Sequence, residues 1–272
     1  MMTVNRSRLL KDVAKALVLA GAIIAPALVS PVLVVAASTT AAFASDLPPA
    51  PDHMRLEHIA IRLGAHQPIR IIAFGSSSTE GVGASSLAAT YPSRLQADLT
   101  AALPTRQRVV VLNRGIGGED ADDMARRLPT VIAEHPDLII WQTGTNDPLR
   151  SLPLDRFVQE TIAGIRAIQA AHIDVMLLEP QLCRELDGKP FSIRYRDALR
   201  SIGAGMNVPV IRRYDMMRGW LADGVLTPAQ MLSPDGLHMA DGGYAKLAEA
   251  IASDILHRAE PPRMAMDAAP RH

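Results

Sequence analysis

The stretch Ile69-Arg-Ile-Ile-Ala-Phe74 runs directly into Gly75-Ser-Ser-Ser-Thr-Glu-Gly81. A short apolar run that ends at glycines and hydroxyl residues reads as a buried strand turning sharply at its carboxyl end. The same grammar recurs along the chain. Apolar runs at 69–74, 108–113, 138–143, 175–179 and 210–212 alternate with helical patterns at 91–103, 121–135, 154–171, 195–206 and 243–257. In the last of these, Leu247, Ala248, Ile251 and Ile255 recur at spacings of three and four, a one-sided apolar face. Strands alternating with helices predict βαβ units with right-handed crossovers: one α/β domain, five parallel strands between two helical layers.

An open parallel sheet binds its ligands beyond the carboxyl ends of its strands. Ser77 follows the first run by three residues, Gly118 follows the second by five, and Asn146 follows the third by three, so all three fall on one rim. A further motif, Asp235-Gly-Leu-His238, precedes the C-terminal helix. Together these segments supply a hydroxyl nucleophile, an imidazole base and a carboxylate to orient that base. A serine hydroxyl is a poor nucleophile until a neighbouring base takes its proton. The imidazole in turn needs a partner that fixes its tautomer and stabilises its charged form. Asp235 and His238 are close enough to share one loop. The chain therefore reads as a serine hydrolase, although no G-x-S-x-G elbow surrounds Ser76, Ser77 or Ser78.

Four blocks, taken in order, resemble those of the SGNH hydrolase superfamily, the GDSL-type lipases and esterases. The family's G-D-S-x-T-x-G lies on Gly75 to Gly81, its N-x-G-x-x-G on Asn113 to Gly118, its G-x-N-D on Gly144 to Asp147, and its D-x-x-H on Asp235 to His238. The resemblance implies a flavodoxin-like SGNH hydrolase fold and carboxylic ester hydrolysis through an acyl-serine. It makes Ser77 the nucleophile, His238 the base and Asp235 its orienting partner. It also implies an oxyanion hole built from Ser77, Gly118 and Asn146. The chain departs from the pattern at Ser76, where the family has Asp, which leaves three serines in a row.

Each of these residues has a plainer reading beside the chemical one. Ser77 could stabilise a turn or cap a helix, Asn146 and Asp235 could form Asx turns, and Gly115, Gly117 and Gly118 could serve only a tight turn. Asp147 reads as a brace for its loop. The acidic run Glu119, Asp120, Asp122 and Asp123 suits a helix start better than a metal site. Gly81-Val-Gly83 lacks the G-x-G-x-x-G spacing of a dinucleotide site, and no H-E-x-x-H occurs, so no cofactor and no metal are expected. Acetylated glycans, short acyl esters, lysophospholipids and thioesters all fit as substrates. Aromatic residues make up only 4% of the chain, which disfavours a broad platform for a long lipid. Transfer of the acyl group to a glycan hydroxyl, or glycan binding without catalysis, are the rival functions.

The N-terminus points to export. Arg6, Arg8, Lys11 and Lys15 precede an uncharged, mostly apolar stretch from Ala16 to Ala37, and Ala42-Phe43-Ala44 offers a cleavage site. Residues 1–44 therefore read as a signal peptide of a periplasmic or secreted protein. The stretch is also long enough to span a bilayer, so an uncleaved inner-membrane anchor competes. In that case the protein touches the membrane through this segment alone. Pro48, Pro49 and Pro51 predict an extended segment over 45–66, the hydrolase domain occupies 67–259, and Pro261-Pro262 opens a disordered tail over 260–272. Beyond residue 44 acids slightly outnumber bases, which argues against nucleic acid as a partner. Cys183, the only cysteine, excludes an intramolecular disulfide and reads as a buried bystander.

Overall fold

Strand β1 (Ile69–Gly75) lies inside a five-stranded sheet with β2 (Val109–Gly115) on one side and β3 (Leu138–Gln142) on the other. Beyond β3 come β4 (Asp174–Leu178) and β5 (Val210–Ile211), and every pairing is parallel. The order β2-β1-β3-β4-β5 reverses direction between β1 and β3, which creates a crevice at their carboxyl ends. These are the five strands expected from the sequence. This computed structural model describes residues 54–260. The signal or anchor segment, the first part of the extended segment and the tail beyond residue 260 lie outside the described residues.

The strands run apolar without alternation because helices cover both faces. Leu138, Ile139, Ile140 and Trp141 are each fully buried. Alternate side chains separate into two cores. Ile71, Ala73, Leu138, Ile140 and Met176 face α1 (Glu57–Gly64), α3 (Tyr91–Ala102) and α11 (Asp241–Ala259), where Leu95, Leu99, Leu247 and Ile251 meet them. Ile72, Phe74, Ile139, Trp141 and Leu177 face α4 (Ala121–Ile132), α6 (Leu154–Ala170) and α8 (Ser192–Met206). The result is the three-layer α/β/α arrangement. Each of these large side chains contributes about 1.5–3 kcal/mol by leaving water. Gly164 lets α6 approach Trp141, since a Cβ there would collide with the indole ring.

Several short helices connect the layers: α2 (Ser77–Glu80), α5 (Asn146–Leu149), α7 (Arg184–Asp187), α9 (Arg213–Ala222) and α10 (Pro228–Met231). One expectation needs correcting. Residues 45–66 read as extended, yet Glu57–Gly64 is helical. Leu56 and Ile59 are 1% exposed, and Ala60 and Leu63 pack beside them. The physical cause is a short helical spacing of apolar residues at 56, 59, 60 and 63, which lies beyond the prolines that suggested an extended chain. The Ile59 N–H also donates to Asp174 Oδ2 at 3.0 Å, pinning the helix to the start of β4.

Candidate active site

The turn that carries Ser77 is compact because β1 ends on a glycine. A Cβ on Gly75 would meet Gln142 Cβ and Oε1 at 2.8 Å. Ser76 then sits at the cap position and Ser77 is the first residue of α2. Helix geometry leaves the Ser77 N–H without an intrahelical partner. Ser76 and Ser78 are each 1% exposed, and both the N–H and the hydroxyl of Ser76 donate to Gln142 Oε1, at 2.9 and 3.1 Å. Ser76, which stands where the GDSL pattern has Asp, is thus a buried brace of the turn. Of the three serines, Ser77 is the one that faces the histidine.

Ser77 Oγ lies 2.9 Å from His238 Nε2, and His238 Nδ1 lies 2.7 Å from Asp235 Oδ2. The other carboxylate oxygen, Asp235 Oδ1, accepts from Ser233 Oγ at 2.6 Å and from the N–H groups of Leu237 and His238 at 2.9 Å each. Desolvation raises the pKa of Asp235, but the bonds from Ser233, from the His238 ring and from the two backbone amides outweigh it. They hold the carboxyl well below its usual range. A permanently ionised Asp235 requires the ring hydrogen on Nδ1, which frees Nε2 to accept from the Ser77 hydroxyl. Gly236, at φ +71°, makes the turn that lets Asp235 and His238 face each other.

The loop that carries His238 seats closely against the segment that follows Ser77. Gly83, at φ +90°, approaches so near that a Cβ there would meet the Met239 carbonyl oxygen at 2.5 Å and His238 Cβ at 3.0 Å. Ser85 N–H donates to Asp241 Oδ1 at 2.8 Å, joining the same two segments.

The loop after β2 crosses over α2. The Ile116 N–H donates to the Gly75 carbonyl at 3.0 Å, and a Cβ on Gly117 would lie 3.9 Å from Ser77 Cβ. Gly118 adopts φ +79°, a conformation that favours glycine. Asn146 opens α5, and its Nδ2 donates to the Glu119 carbonyl at 2.7 Å, which draws the third motif against the second. The second amide hydrogen of Asn146 remains available. Arg127 locks the base of this loop, reaching the Glu119 carboxylate at 2.6 Å, the Arg114 carbonyl at 2.8 Å and the Gly75 carbonyl at 3.2 Å.

The acidic run is engaged in structure. Asp120 and Asp123 form a capping box on α4, Arg150 pairs with Asp120 at 2.8 Å, and Arg156 pairs with Asp122. Asp147 is 2% exposed and accepts from the Ala121 N–H at 3.2 Å, bracing its loop against α4. Desolvation, against that bond and reinforced by Asp120 and Asp122, pushes its pKa up to about 6. Burial pushes the Cys183 thiol up to about 11, so it is a protonated, buried group at neutral pH.

The structure brings all five sequence-nominated residues to one rim and adds others that the motifs did not mark. Ser233 donates to Asp235, while Gln142 and Gln181 hold Ser76 and the Leu237 carbonyl, the chain neighbours of Ser77 and His238. A glutamine closing an otherwise apolar strand run, as Gln142 closes Leu138–Trp141, is the signal that could have drawn attention to it.

Residues 42–260 match the model of the non-GDSL lipase-like family. An arylesterase of Vibrio mimicus is 24% identical over 177 residues, which cover 63% of this chain and 84% of that protein. A crystal structure of a lipase/acylhydrolase from Enterococcus faecalis superposes with a TM-score of 0.60 at 25% identity, covering 72% of this chain and 100% of the other. An acetylxylan esterase from Geobacillus stearothermophilus superposes with a TM-score of 0.58 at 20% identity, covering 69% and 94% of the two chains.

Proposed function

The chain belongs to the non-GDSL lipase-like family within the SGNH hydrolases and is an ester hydrolase; from that premise we propose an exported serine esterase that removes short acyl or acetyl groups through an acyl-serine intermediate. The observation that carries this reading is the line of contacts from Ser77 Oγ to His238 Nε2 at 2.9 Å and from His238 Nδ1 to Asp235 Oδ2 at 2.7 Å. Ser77 attacks the ester carbonyl as His238 takes its proton, and Asp235 stabilises the imidazolium that forms. The developing oxyanion is met by the N–H groups of Ser77 and Gly118 and by the Asn146 amide. His238 returns its proton to the departing alcohol. It then activates water to release the acyl group and regenerate Ser77.

Two features bear on the substrate. A cavity of about 440 Å³ lies beside α5, the helix that Asn146 opens, and is lined by Pro148, Leu152, Leu154, Phe191 and Tyr195 among others. It offers room for a small-molecule group next to the proposed oxyanion side. The Geobacillus neighbour is a variant of an acetylxylan esterase, which supports an acetylated polysaccharide as the first substrate to try. The basic and apolar leader over residues 1–44 supports export.

The test is hydrolysis of p-nitrophenyl esters from acetate to octanoate by the wild-type protein and by Ser77→Ala. Activity highest on acetate and absent in folded Ser77→Ala is the expected result. Equal rates in the two proteins would remove Ser77 from the mechanism, and a preference for octanoate would overturn the short-acyl reading. Release of acetate from an acetylated glycan, compared with a deacetylated control, then tests the alcohol partner.

A further inference from the structure

We propose that Gln181 is a positioning residue for the reaction: through a one-directional hydrogen-bond chain it holds the His238 loop in register with the nucleophile's turn. The proposal rests on the ester-hydrolase reading of the site. The chain runs beneath the reacting groups. Ser76 donates twice to Gln142 Oε1, Gln142 Nε2 donates to Thr145 Oγ1 at 3.3 Å, Thr145 Oγ1 donates to Gln181 Oε1 at 3.4 Å, and Gln181 Nε2 donates to the Leu237 carbonyl at 3.0 Å. It begins beside Ser77 and ends at the peptide bond that enters His238.

The direction of the chain is imposed by Arg213. A guanidinium only donates. Arg213 Nη2 lies 2.8 Å from Gln181 Oε1, so that atom must be the amide oxygen and the nitrogen must face Leu237. Arg213 is fully buried at the start of α9, and its Nε donates to the Glu179 carbonyl at 2.9 Å, which fixes the guanidinium on the end of β4. Burial lowers its pKa only to about 10, so it stays a cation at neutral pH. Thr145 obeys the same logic: it accepts from Gln142 Nε2, which leaves its own hydrogen for Gln181.

Every member is shielded from water, with Ser76 and Gln181 1% exposed, Thr145 3%, and Gln142 and Arg213 0%. The links from Ser76 to Leu237 are each paired donor to acceptor, although Arg213 Nη1 is buried without a partner, and a shift of the loop would leave the Gln181 amide and the Leu237 carbonyl unpaired. The bonds from Ser233, Leu237 and His238 to Asp235 are internal and shape the loop, while those of His238 to Ser77 and of Asp241 to Ser85 tie it to the turn after β1. Gln181 to Leu237 is a bond that also places it, bridging 56 residues.

Gln181→Glu is the decisive variant. It keeps the shape and the acceptor for Arg213 and Thr145, but turns a carboxylate oxygen toward the Leu237 carbonyl in place of an N–H. With p-nitrophenyl acetate and the full chain, kcat is expected to fall about 10- to 100-fold while KM stays within twofold, the signature of a misplaced base. Labelling of Ser77 by a fluorophosphonate should slow in step, while thermal unfolding remains a single cooperative transition. A folded Q181E with kcat within twofold of the wild type would overturn the proposal. If Q181E fails to fold, Thr145→Val breaks the chain while sparing the Gln181–Arg213 pair. A several-fold loss of kcat at constant KM supports the proposal there, and an unchanged kcat overturns it. A wild-type protein inert toward both ester and fluorophosphonate would instead overturn the ester-hydrolase reading, and the positioning role with it.

Discussion

Ser77 Oγ and His238 Nε2 stand 2.9 Å apart across 161 residues of sequence, and the ring is turned to that contact by Asp235. Asp235→Asn should therefore lose far more than a charge. An amide nitrogen facing Nδ1 favours the imidazole tautomer with its hydrogen on Nε2, which cannot accept from Ser77. A drop in kcat of about 10⁴ is expected. Steady-state hydrolysis of p-nitrophenyl acetate measures it, and a loss smaller than tenfold would show that Asp235 does not set the tautomer.

The pH profile follows from the same carboxylate. Its depressed pKa means that Asp235 is ionised throughout the range above about pH 4, the unperturbed carboxylate value. Whatever it contributes to stability is present above that value and lost only as pH falls further. The acid limb of kcat/KM above pH 4 should thus carry no ionisation of Asp235 and rise with a slope no steeper than one. A slope of two in that window would mean that a second group controls the site.

In the proposed mechanism Asn146→Ala removes one amide donor from the oxyanion, and it also frees the Glu119 carbonyl that Asn146 holds at 2.7 Å. We expect kcat to fall about 10²- to 10³-fold with KM little changed, because the lost interaction is made to the transition state. Stopped-flow acylation with an activated acetate ester would isolate the step. An unaltered acylation rate would exclude Asn146 from the oxyanion hole.

Gly83→Ala tests how tightly the base loop must seat. The added methyl would be 3.0 Å from His238 Cβ and 2.5 Å from the Met239 carbonyl oxygen, at a backbone angle of φ +90° that disfavours any side chain. Relief requires the loop to move away from Ser77. The expected cost is about 1–3 kcal/mol of stability, read by urea unfolding, together with a loss of kcat. Wild-type kcat in this variant would show that the loop tolerates displacement.

Asp147 governs a different pH effect. With its folded pKa raised to about 6, the protonated form is favoured in the native state. The stability this confers is complete below about pH 4 and is lost as pH rises through 6, up to about 3 kcal/mol. Asp174, raised to about 6 chiefly by desolvation, adds a slope of the same sign. Asp147→Asn cannot ionise and can still accept from the Ala121 N–H. Its stability relative to the wild type should therefore rise by about 1–2 kcal/mol between pH 4 and pH 7. Urea midpoints at pH 4, 5.5 and 7 check this, and a constant difference would contradict it.

The sheet was readable because its central strands are buried on both faces, which writes Leu138 to Trp141 and Val175 to Leu178 as unbroken apolar runs. The five candidate site residues were readable because each adjoins a glycine turn or follows a strand end, so local spacing marks it. Gln181 and Arg213 carried no such mark. Their partners Leu237 and Glu179 lie 56 and 34 residues away, and no periodicity encodes a side-chain bond across that distance. Glu57–Gly64 was hidden by the prolines before it, and α2 has four residues, too few for a helical period. Gly83 drew notice only as part of an incomplete dinucleotide pattern. Its use, close contact with His238, exists only once two distant loops meet.

Composition and local pattern were enough to name the reacting groups and to put them beyond the carboxyl ends of parallel strands, because strand, turn and helix signals act over a few residues. Local pattern alone does not decide among three consecutive serines; the family resemblance, aligned on Gly75, Thr79 and Gly81, pointed to Ser77. Packing supplies the physical reason: the turn buries Ser76 against Gln142 and Ser78 in the interior, and His238 meets Ser77. Neighbouring side chains on a turn point in different directions, and only contacts between remote parts of the chain determine which of them meets the base.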